Sequence, residues 1–576
     1  MISETKLHKV RELTTLREML YQCDELFGEK TAFLAKRKKG GEYFEISFSQ
    51  FKKDVEALGA RLIDLGLKDS KIAIMGNNCY QWVVAYMATV SGVGVAVPMD
   101  KDLKQEEIVN LIKAADCEAV FFTSNYGSYF ENIDISHKFV MDAYQNDESM
   151  TAEHHIYNLI FQGRGLLETG RGLLETGRDQ FSDVTTDPEQ MVEILFTSGT
   201  TGTPKGVMLS NKNICHVIRG ANQVINLKKD DRALSVLPIH HTLESSMGIL
   251  AVLFQGGSVA FCEGLKYMLK NMRESEASLI VGVPLIIESM YSKIWKEAEK
   301  NGSENAMLKA VRLNRRLMTF KIDKRKKIFS GVRNRFGGNF RYLISGAAAI
   351  DPAVLRGFID LGFDVSQGYG LTETAPLVTV IPDFENAYKK SGSVGLAIPG
   401  VEIKIDQPDE DGIGEILIKG ANVMMGYYNM PEETAEVIKD GWLHSGDLGF
   451  MDPDGWLYIT GRSRNIIVTK TGKNIYPEEI EAVIRNLDYV VDCMVYGVKE
   501  KNEEEYRITV QIFPDYEALE KAKGNMTDDE IFELFKEEIY QMNRKLASYK
   551  RVKDIIIRKT DFVRTTTRKI KRGENI

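Results

Sequence analysis

"MVEILFTSGTTGTPKG" occupies residues 191–206. Its first six residues form a short apolar run, the pattern of a buried strand. The ten that follow, Thr197 to Gly206, hold three glycines, four threonines, one serine and a single lysine. A strand ending in glycines and hydroxyls can turn backbone N–H and side-chain OH groups onto a phosphate, and Lys205 adds a positive charge. The nucleoside-triphosphate loop G-x-x-x-x-G-K-[ST] does not fit. After Gly199 and four further residues comes Pro204, and Lys205 is followed by Gly206. A plain Gly/Thr-rich hairpin turn is the alternative.

On both sides of this stretch, short apolar runs alternate with helical patterns. "KIAIMG" from Lys71, "VGVAVPM" from Val93, "AVFFTS" from Ala119, "ALSVLPI" from Ala233, "SVAFC" from Ser258, "LIVGVP" from Leu279 and "YLISGAA" from Tyr342 all have the texture of buried strands. Between them lie "QWVVAYMATVSG" and "QEEIVNLIKAAD", which suit helices. Such alternation predicts α/β architecture with parallel sheets covered by helices. Beyond Gly392 the texture changes. "VEIKIDQPDEDGIGEILIKG" and "DGWLHSGDLGFMDPDGWLYITGR" each have strand, Asp/Gly turn and strand, the pattern of a hairpin. After Arg462, helix-like "EEIEAVIRNL", the strands "VVDCMVYGV" and "RITVQIF", and a helix capped by Thr527 predict a small α+β domain. The expected organisation is an N-terminal domain over 1–461, with a β-rich subdomain at about 392–461, followed by a C-terminal domain over 465–576 on a hinge.

The tandem unit in "GRGLLETGRGLLETGR", Gly163 to Arg178, is expected to be a duplicated surface loop, since loop insertions cost little closure entropy. A docking or regulatory loop is the functional alternative.

Length and composition bound the rest. At 576 residues, roughly two to four domains are expected. The net charge of -8 argues against a general polyanion binder, so nucleic acid is not an expected partner. Six scattered cysteines without a C-x-x-C pair suit a reducing compartment and offer no zinc site. "MISETKLHKVRELTTLREML" has no apolar stretch of a signal peptide, and no run approaches the ~18 apolar residues of a membrane helix. A cytoplasmic protein is the expectation. Peripheral contact with a membrane is compatible with it, and oligomeric state is left open.

The Thr197–Gly206 loop closely resembles the signature loop of the adenylate-forming superfamily: acyl-CoA synthetases, peptide-synthetase adenylation domains and luciferases. The resemblance recurs in order at five further places and covers nearly the whole chain. It implies that Thr197, Ser198, Gly199, Thr200, Thr201, Gly202 and Lys205 hold the phosphates of ATP. "LPIHHTLE", Leu237 to Glu244, is similar to the family's segment near the acyl carboxylate, which places His241 there; His240 is expected to be a strand-end histidine satisfied by hydrogen bonds. "SGAAAID" and "SQGYGLTET" resemble the strips that border adenine. They give Gly346 and Ala347, then Gln367, Gly368, Tyr369 and Gly370, with Tyr369 stacking on the purine. Thr372 would bond the α-phosphate, and Glu373, with Thr200, would hold Mg2+.

"WLHSGDLG" supplies Asp447 for the ribose hydroxyls, with Arg462 as a second ribose contact. Arg464 stands at the family's hinge position, followed by Asn465 where Asp is common. "TKTGKNIYPEEIE" resembles the loop that lines the pantetheine tunnel, with Gly472 allowing close approach; it also has the pattern of a helix N-terminus with Pro477 and two glutamates. In "FVRTTTRKIKRGENI", Arg568 replaces the family's glycine and Lys569 fills the catalytic lysine position. Lys571 and Arg572 are expected to be solvated.

The chemistry implied is activation of a fatty acid by ATP and Mg2+ to an acyl-adenylate, then transfer to CoA. Gln367 and Glu244 look most like the long-chain fatty acyl-CoA synthetases. "VGVPLIIESMYSKIW" is apolar enough to wall an acyl tunnel, though plain core is the commoner use of such a segment. Transfer to an acyl carrier protein, arrest at the adenylate, a luciferase-like oxygenase and a non-catalytic nucleotide or acyl sensor are the alternatives. A sensor would be expected to lack Lys569 or Glu373, and both are present.

Overall fold

The computed structural model describes residues 7–142, 154–169, 181–197, 204–469, 473–499, 506–565 and 569–576. Packing divides the chain into two compact units, Met1–Ile403 with Ile418–Leu443, and Lys404–Leu417 with His444–Ile576.

Two sheets organise the first unit. Among the described residues one has seven strands, in the order Gly426–Tyr427, Lys205–Ser210, Met191–Thr197, Gly94–Met99, Ser70–Met75, Cys117–Phe122 and His137–Val140. From Met191–Thr197 to His137–Val140 the neighbours are parallel. Lys205–Ser210 then folds back antiparallel on Met191–Thr197. The second sheet has nine strands: Leu396–Ala397, Thr379–Val380, Asp364–Tyr369, Tyr342–Ser345, Leu279–Gly282, Arg232–Ser235, Ser258–Phe261, Thr31–Lys36 and Tyr43–Ser47. Its middle, from Asp364–Tyr369 to Thr31–Lys36, is parallel.

The apolar runs of the sequence are these strands. Gly94–Met99, Ser258–Phe261, Leu279–Gly282 and Tyr342–Ser345 are buried at every residue. Strands covered by helices on both faces need apolar side chains at consecutive positions, which is why the sequence shows runs rather than alternation. Helix Tyr80–Ala88 is likewise buried all round and passes into a π-helical turn, Thr89–Val93, in which Gly92 takes φ 149. The segment "VGVPLIIESMYSKIW" forms the end of strand Leu279–Gly282 and helix Pro284–Lys300. That helix buries Ile287, Met290 and Ile294 and lays the Tyr291 ring 5.3 Å from Phe358. This is core packing against helix Pro352–Asp360.

The first copy of the tandem unit is not a loop. It completes helix Ile156–Thr169, which packs on helix Phe48–Asp64. A Cβ on Gly163 would lie 1.8 Å from the Ala57 carbonyl oxygen, so only glycine permits this approach. Arg164 pairs with Asp54, which also accepts from the Tyr80 hydroxyl. Tandem insertions are most often tolerated in loops, but here the first copy extends a helix that packs on its neighbour. The second copy lies outside the described residues. Gly163→Ala is expected to cost about 1–3 kcal/mol by overpacking, read as a lowered midpoint of thermal unfolding. An unchanged midpoint would contradict the close packing.

In the second unit, Val490–Val498, Arg507–Pro514 and Asp554–Ile557 form a three-stranded sheet. Helices Pro477–Ile484 and Asp528–Asn543 close over it, with Ile480, Ile484, Phe535 and Ile539 meeting Val495, Val510 and Ile512. Thr527 and Glu530 form a capping box at the start of the long helix, as its sequence predicts. The hairpin strands read beyond Gly392 are present at Val401–Asp406, Gly414–Gly420, Trp442–Met451 and Leu457–Arg462, and the division between units falls among them. Arg572 departs from expectation. Its guanidinium reaches the buried carboxylate of Glu481 at 2.5 Å and donates to the Val495 carbonyl at 2.8 Å. Among the described residues Lys571 forms an ion pair with the exposed Glu574, as a solvated lysine would.

Candidate active site

The signature loop connects two antiparallel strands, Met191–Thr197 and Lys205–Ser210, with Thr197 opposite Lys205. The Thr197 hydroxyl donates to the Lys205 carbonyl at 3.4 Å. Ser198, Gly199, Thr200, Thr201 and Gly202 lie outside the described residues. At the root of the loop Lys205 points its ammonium at the Tyr427 ring, 4.9 Å from the centroid. Tyr427 is brought there by the two-residue strand Gly426–Tyr427, which pairs antiparallel with Lys205–Ser210. Its hydroxyl donates to Glu373 Oε1 at 3.0 Å. Burial, reinforced by the Glu373 carboxylate, holds the Tyr427 phenol well above its usual range, so it remains a donor at physiological pH. A cation, an aromatic donor and a carboxylate from three distant parts of the chain thus form one line.

Neither end of that line is neutralised by its own fold. Among the described residues Lys205 has no carboxylate partner, and Glu373 is half-buried, forms no ion pair and bonds only to Tyr427 through its side chain. A carboxylate in this condition fits a hard divalent cation that keeps most of its waters and takes further oxygens from a phosphate. Glu373 is held in place through its backbone as well, since its carbonyl accepts from the Met424 amide at 2.9 Å. Before it, Gly370 is irreplaceable on steric grounds: a Cβ would sit 1.7 Å from the Pro376 carbonyl oxygen. Thr372 lies in the same short 3-10 turn as Glu373.

Beside this segment, the C-terminal ends of two parallel strands carry unmatched polar atoms. Ser345 and Gln367 are register partners, 0% and 2% exposed, and neither Ser345 Oγ nor Gln367 Oε1 has a hydrogen-bond partner among the described residues. Buried polar atoms without partners are costly, and at the carboxyl ends of parallel strands they mark the place where an α/β sheet takes a ligand. Gly346 and Ala347 follow Ser345. A Cβ on Gly346 would meet Leu243 at 3.2 Å, and Ala347 adopts φ 69, a strained conformation for a residue with a side chain. Gly368 and Tyr369 continue the Gln367 strand, where both pair with Thr379–Val380.

The "LPIHHTLE" segment runs from the end of strand Arg232–Ser235 into a π-helical stretch, Leu243–Leu250. Asn78 clamps it, donating to the Leu237 carbonyl at 2.6 Å and accepting from the Ile239 amide at 3.2 Å. Glu244 is buried. Burial pushes its carboxyl up to about 8, against hydrogen bonds from Ser235 and the amides of Leu237 and Val236. His241 is half-buried, with its ring 4.1 Å from that of His240 and tilted 40° to it. His240 corrects its expectation: it is buried, burial pushes its pKa down to about 3, and its Nε2 has no hydrogen-bond partner among the described residues. Burial thus favours the neutral imidazole, although Nε2 lies 3.7 Å from an Asp100 carboxylate oxygen.

The second unit gathers the remaining candidates. Asp447 and Arg462 are cross-strand partners, and Arg462 Nε reaches Asp447 Oδ1 at 2.8 Å. Asp447 is buried, and its amide donates to the Ser445 hydroxyl at 3.0 Å. Arg464 lies in the turn Ser463–Asn465, where Asn465 donates to Glu478 at 2.6 Å. Lys569 is tied to Thr565 through its amide and carbonyl. As a residue it is exposed. Yet burial of the ammonium pushes it down to about 8, with Arg462 and Arg464 adding to the fall and Asp447 opposing it. The two guanidinium neighbours give that direction a cause independent of how much of the stem meets water. Gly472 lies outside the described residues. Helix Pro477–Ile484 starts with proline at its first turn, followed by Glu478 and Glu479, as the sequence predicts.

Tyr427 and Asn78 were not singled out by sequence. Two residues of strand carry no periodicity, and "GYYN" has no spacing that ties it to Glu373. Asn78 stands in "GNNCY", a turn pattern without chemistry of its own.

The profile of the AMP-binding enzyme family matches residues 21–428, and that of the AMP-binding enzyme C-terminal domain matches residues 464–576. The chain is 30% identical over 516 residues to the long-chain-fatty-acid–CoA ligase ACSBG1 of Rattus norvegicus, covering 84% of this chain and 70% of that protein. It is 28% identical over 587 residues to long-chain-fatty-acid–CoA ligase 5 of Mus musculus, covering 94% and 84%. In fold it is similar to ATP-bound MatB from Rhodopseudomonas palustris, with a TM-score of 0.71, 23% identity and 98% of each chain covered. O-succinylbenzoate CoA synthetase from Bacillus subtilis, in complex with an acyl-adenylate, gives a TM-score of 0.72 at 20% identity, again over 98% of each chain.

Proposed function

This chain belongs to the AMP-binding enzyme family, and from that premise we propose that it is an AMP-forming fatty acid–CoA ligase. A fatty acid carboxylate oxygen attacks the α-phosphorus of ATP, the bond to the β-phosphate breaks, and pyrophosphate leaves. The CoA sulfur then attacks the acyl carbon, and AMP leaves. The observation that carries the proposal is the line Lys205–Tyr427–Glu373, an unpaired cation and an unpaired carboxylate spaced by one aromatic donor.

The first step brings an anionic carboxylate to an anionic triphosphate, so fixed positive charge must lie where the pentavalent phosphorus gathers charge. Lys205 and the hydroxyls and amides of Thr197 to Gly202 take the phosphates. Glu373, with Thr200, would hold Mg2+, which when bound offsets triphosphate charge. Tyr427 fixes the Glu373 carboxylate while leaving its second oxygen available. Ser345, Gln367 and the small Gly346–Ala347 strip suit the flat base, with Tyr369 as stacking partner and Gly368 and Gly370 giving backbone access. His241, held by the Asn78 and Glu244 clamp on its segment, faces the acyl carboxylate. In the second unit Asp447 and Arg462, already oriented by each other, suit the ribose. Lys569 aligns carboxylate and α-phosphate. Rotation at Arg464 exchanges Lys569 for the Gly472 loop before thiol attack.

Purified protein with ATP, Mg2+, CoA and fatty acids of graded length should form AMP and thioester in equal amounts. Rates should rise with chain length, because each buried methylene adds about 0.8 kcal/mol of binding. Thioester on holo-acyl carrier protein but not on CoA would contradict the acceptor, and AMP release without thioester would contradict the second step. Tyr427→Phe removes one hydrogen bond to Glu373. It is expected to lower the adenylation rate about 2–10-fold and to raise the Mg2+ concentration needed for half-maximal rate. An unaltered Mg2+ titration would remove Tyr427 from that role.

A further inference from the structure

We infer that the first unit carries a docking face for an anionic lipid bilayer, built on helix Glu304–Thr319 and the segment after it. Between residues 304 and 335 the chain has eleven basic residues and two acidic ones, although its net charge is -8. Four of these cations serve the fold: Arg333 donates to the Gly362 carbonyl at 2.9 Å and Arg335 pairs with Glu297. Arg315 grips Asp360 at 2.7 Å, and the buried Arg325 pairs with Asp323 at 2.9 Å and stacks 3.8 Å over Phe384. With Val311 and Asn314 buried below, they anchor the segment to helix Pro352–Asp360 and strand Asp364–Tyr369.

Other cations turn outward. Arg312, Arg316, Lys321, Lys324, Lys326 and Lys327 are exposed, and none forms an ion pair among the described residues. Interleaved with them are Phe320 at 76% exposure, Leu313 at 54%, Ile322 at 44% and Leu308 at 38%. Four large apolar side chains held in water within one basic segment are unfavourable unless something covers them. Unpaired Lys and Arg around exposed Phe, Leu and Ile complement a surface with an anionic headgroup layer over an apolar interior. A wholly acidic protein surface would match the charges and leave Phe320 and Ile322 in water. Among the described residues no helix is long and apolar enough to cross a membrane, so the contact is peripheral. That the face also collects a lipid-borne acid rests on the acyl-activating proposal; the docking itself does not.

The test is flotation of the full chain with vesicles of phosphatidylglycerol and phosphatidylcholine, against phosphatidylcholine alone. Binding is expected only with the anionic lipid and should weaken with salt. Lys324→Gln/Lys326→Gln/Lys327→Gln should reduce partitioning about a hundredfold, and Phe320→Ser/Ile322→Ser at least tenfold. Both variants should keep the parent's unfolding midpoint and its rate with a short, water-soluble acid. Absence of vesicle binding, equal binding to neutral vesicles, or unchanged binding by the variants would overturn the inference. So would loss, in these variants, of self-association or of binding to an acidic carrier protein, in a chain that ignores vesicles. None of these outcomes depends on catalysis, so failure here and failure of the proposed reaction are separately visible.

Discussion

Replacing Lys569 with alanine is expected to slow formation of the acyl-adenylate by about 10²–10³-fold, the usual cost of one group aimed at transition-state charge. Thioester formation from a supplied acyl-adenylate should fall far less, because the proposed rotation takes the lysine away before the second step. The chemistry needs the ammonium, and burial beside Arg462 and Arg464 brings its pKa down to about 8. The protonated form therefore dominates below that value and is lost above it. The adenylation kcat/KM of the free enzyme should fall as pH rises through about 8, and the alanine variant should lack that limb. Lys569→Arg keeps its charge at every accessible pH, so its residual rate should not fall there. Equal losses in both half-reactions would show that Lys569 only supports the fold of its unit.

Glu373→Gln is expected to lower adenylation by about 10²-fold or more, with the loss concentrated at low Mg2+. The substitution retains an oxygen that can accept from Tyr427, at 3.0 Å in the parent, so the Tyr427 contact need not collapse. What disappears is the negative charge. A divalent cation held by one carboxylate and the phosphates loses much of its protein share of binding, and the Mg2+ concentration for half-maximal rate should rise at least tenfold. The same rate loss at every Mg2+ concentration would assign Glu373 to substrate orientation instead of metal binding. Glu373→Gln and Tyr427→Phe act on one ligand, so their effects should be less than additive when combined.

Much of the large unit could be read from sequence because its strands are buried on both faces. "VGVAVPM" and "LIVGVP" have no partner interpretation as amphipathic surface, and both fall in the parallel sheets. The Thr527 cap was visible for an equally local reason, since Ser/Thr followed three residues later by Glu satisfies two helix amides at once. Where position depends on what lies opposite, sequence was silent or misled. Gly163 looked like part of a duplicated surface loop because loops tolerate insertions, and only its close approach to the Ala57 carbonyl explains the glycine. Tyr427 reaches Glu373 through a two-residue strand whose register is set by Lys205–Ser210. The Asp447–Arg462 pair follows from hairpin register, not from the fifteen-residue spacing of its two motifs. His240 looked satisfied because buried polar groups usually are, yet its Nε2 has no hydrogen-bond partner among the described residues.

Exchange of labelled pyrophosphate into ATP tests the central claim most directly, because it isolates adenylation from every later step. With Mg2+ and a fatty acid present and CoA absent, label should enter ATP at a rate that depends on the acid and vanishes without it. If no carboxylic acid of any length supports exchange in a folded, ATP-binding preparation, the chain does not form acyl-adenylates, and the roles given to Lys205, Glu373 and Lys569 fall with that result.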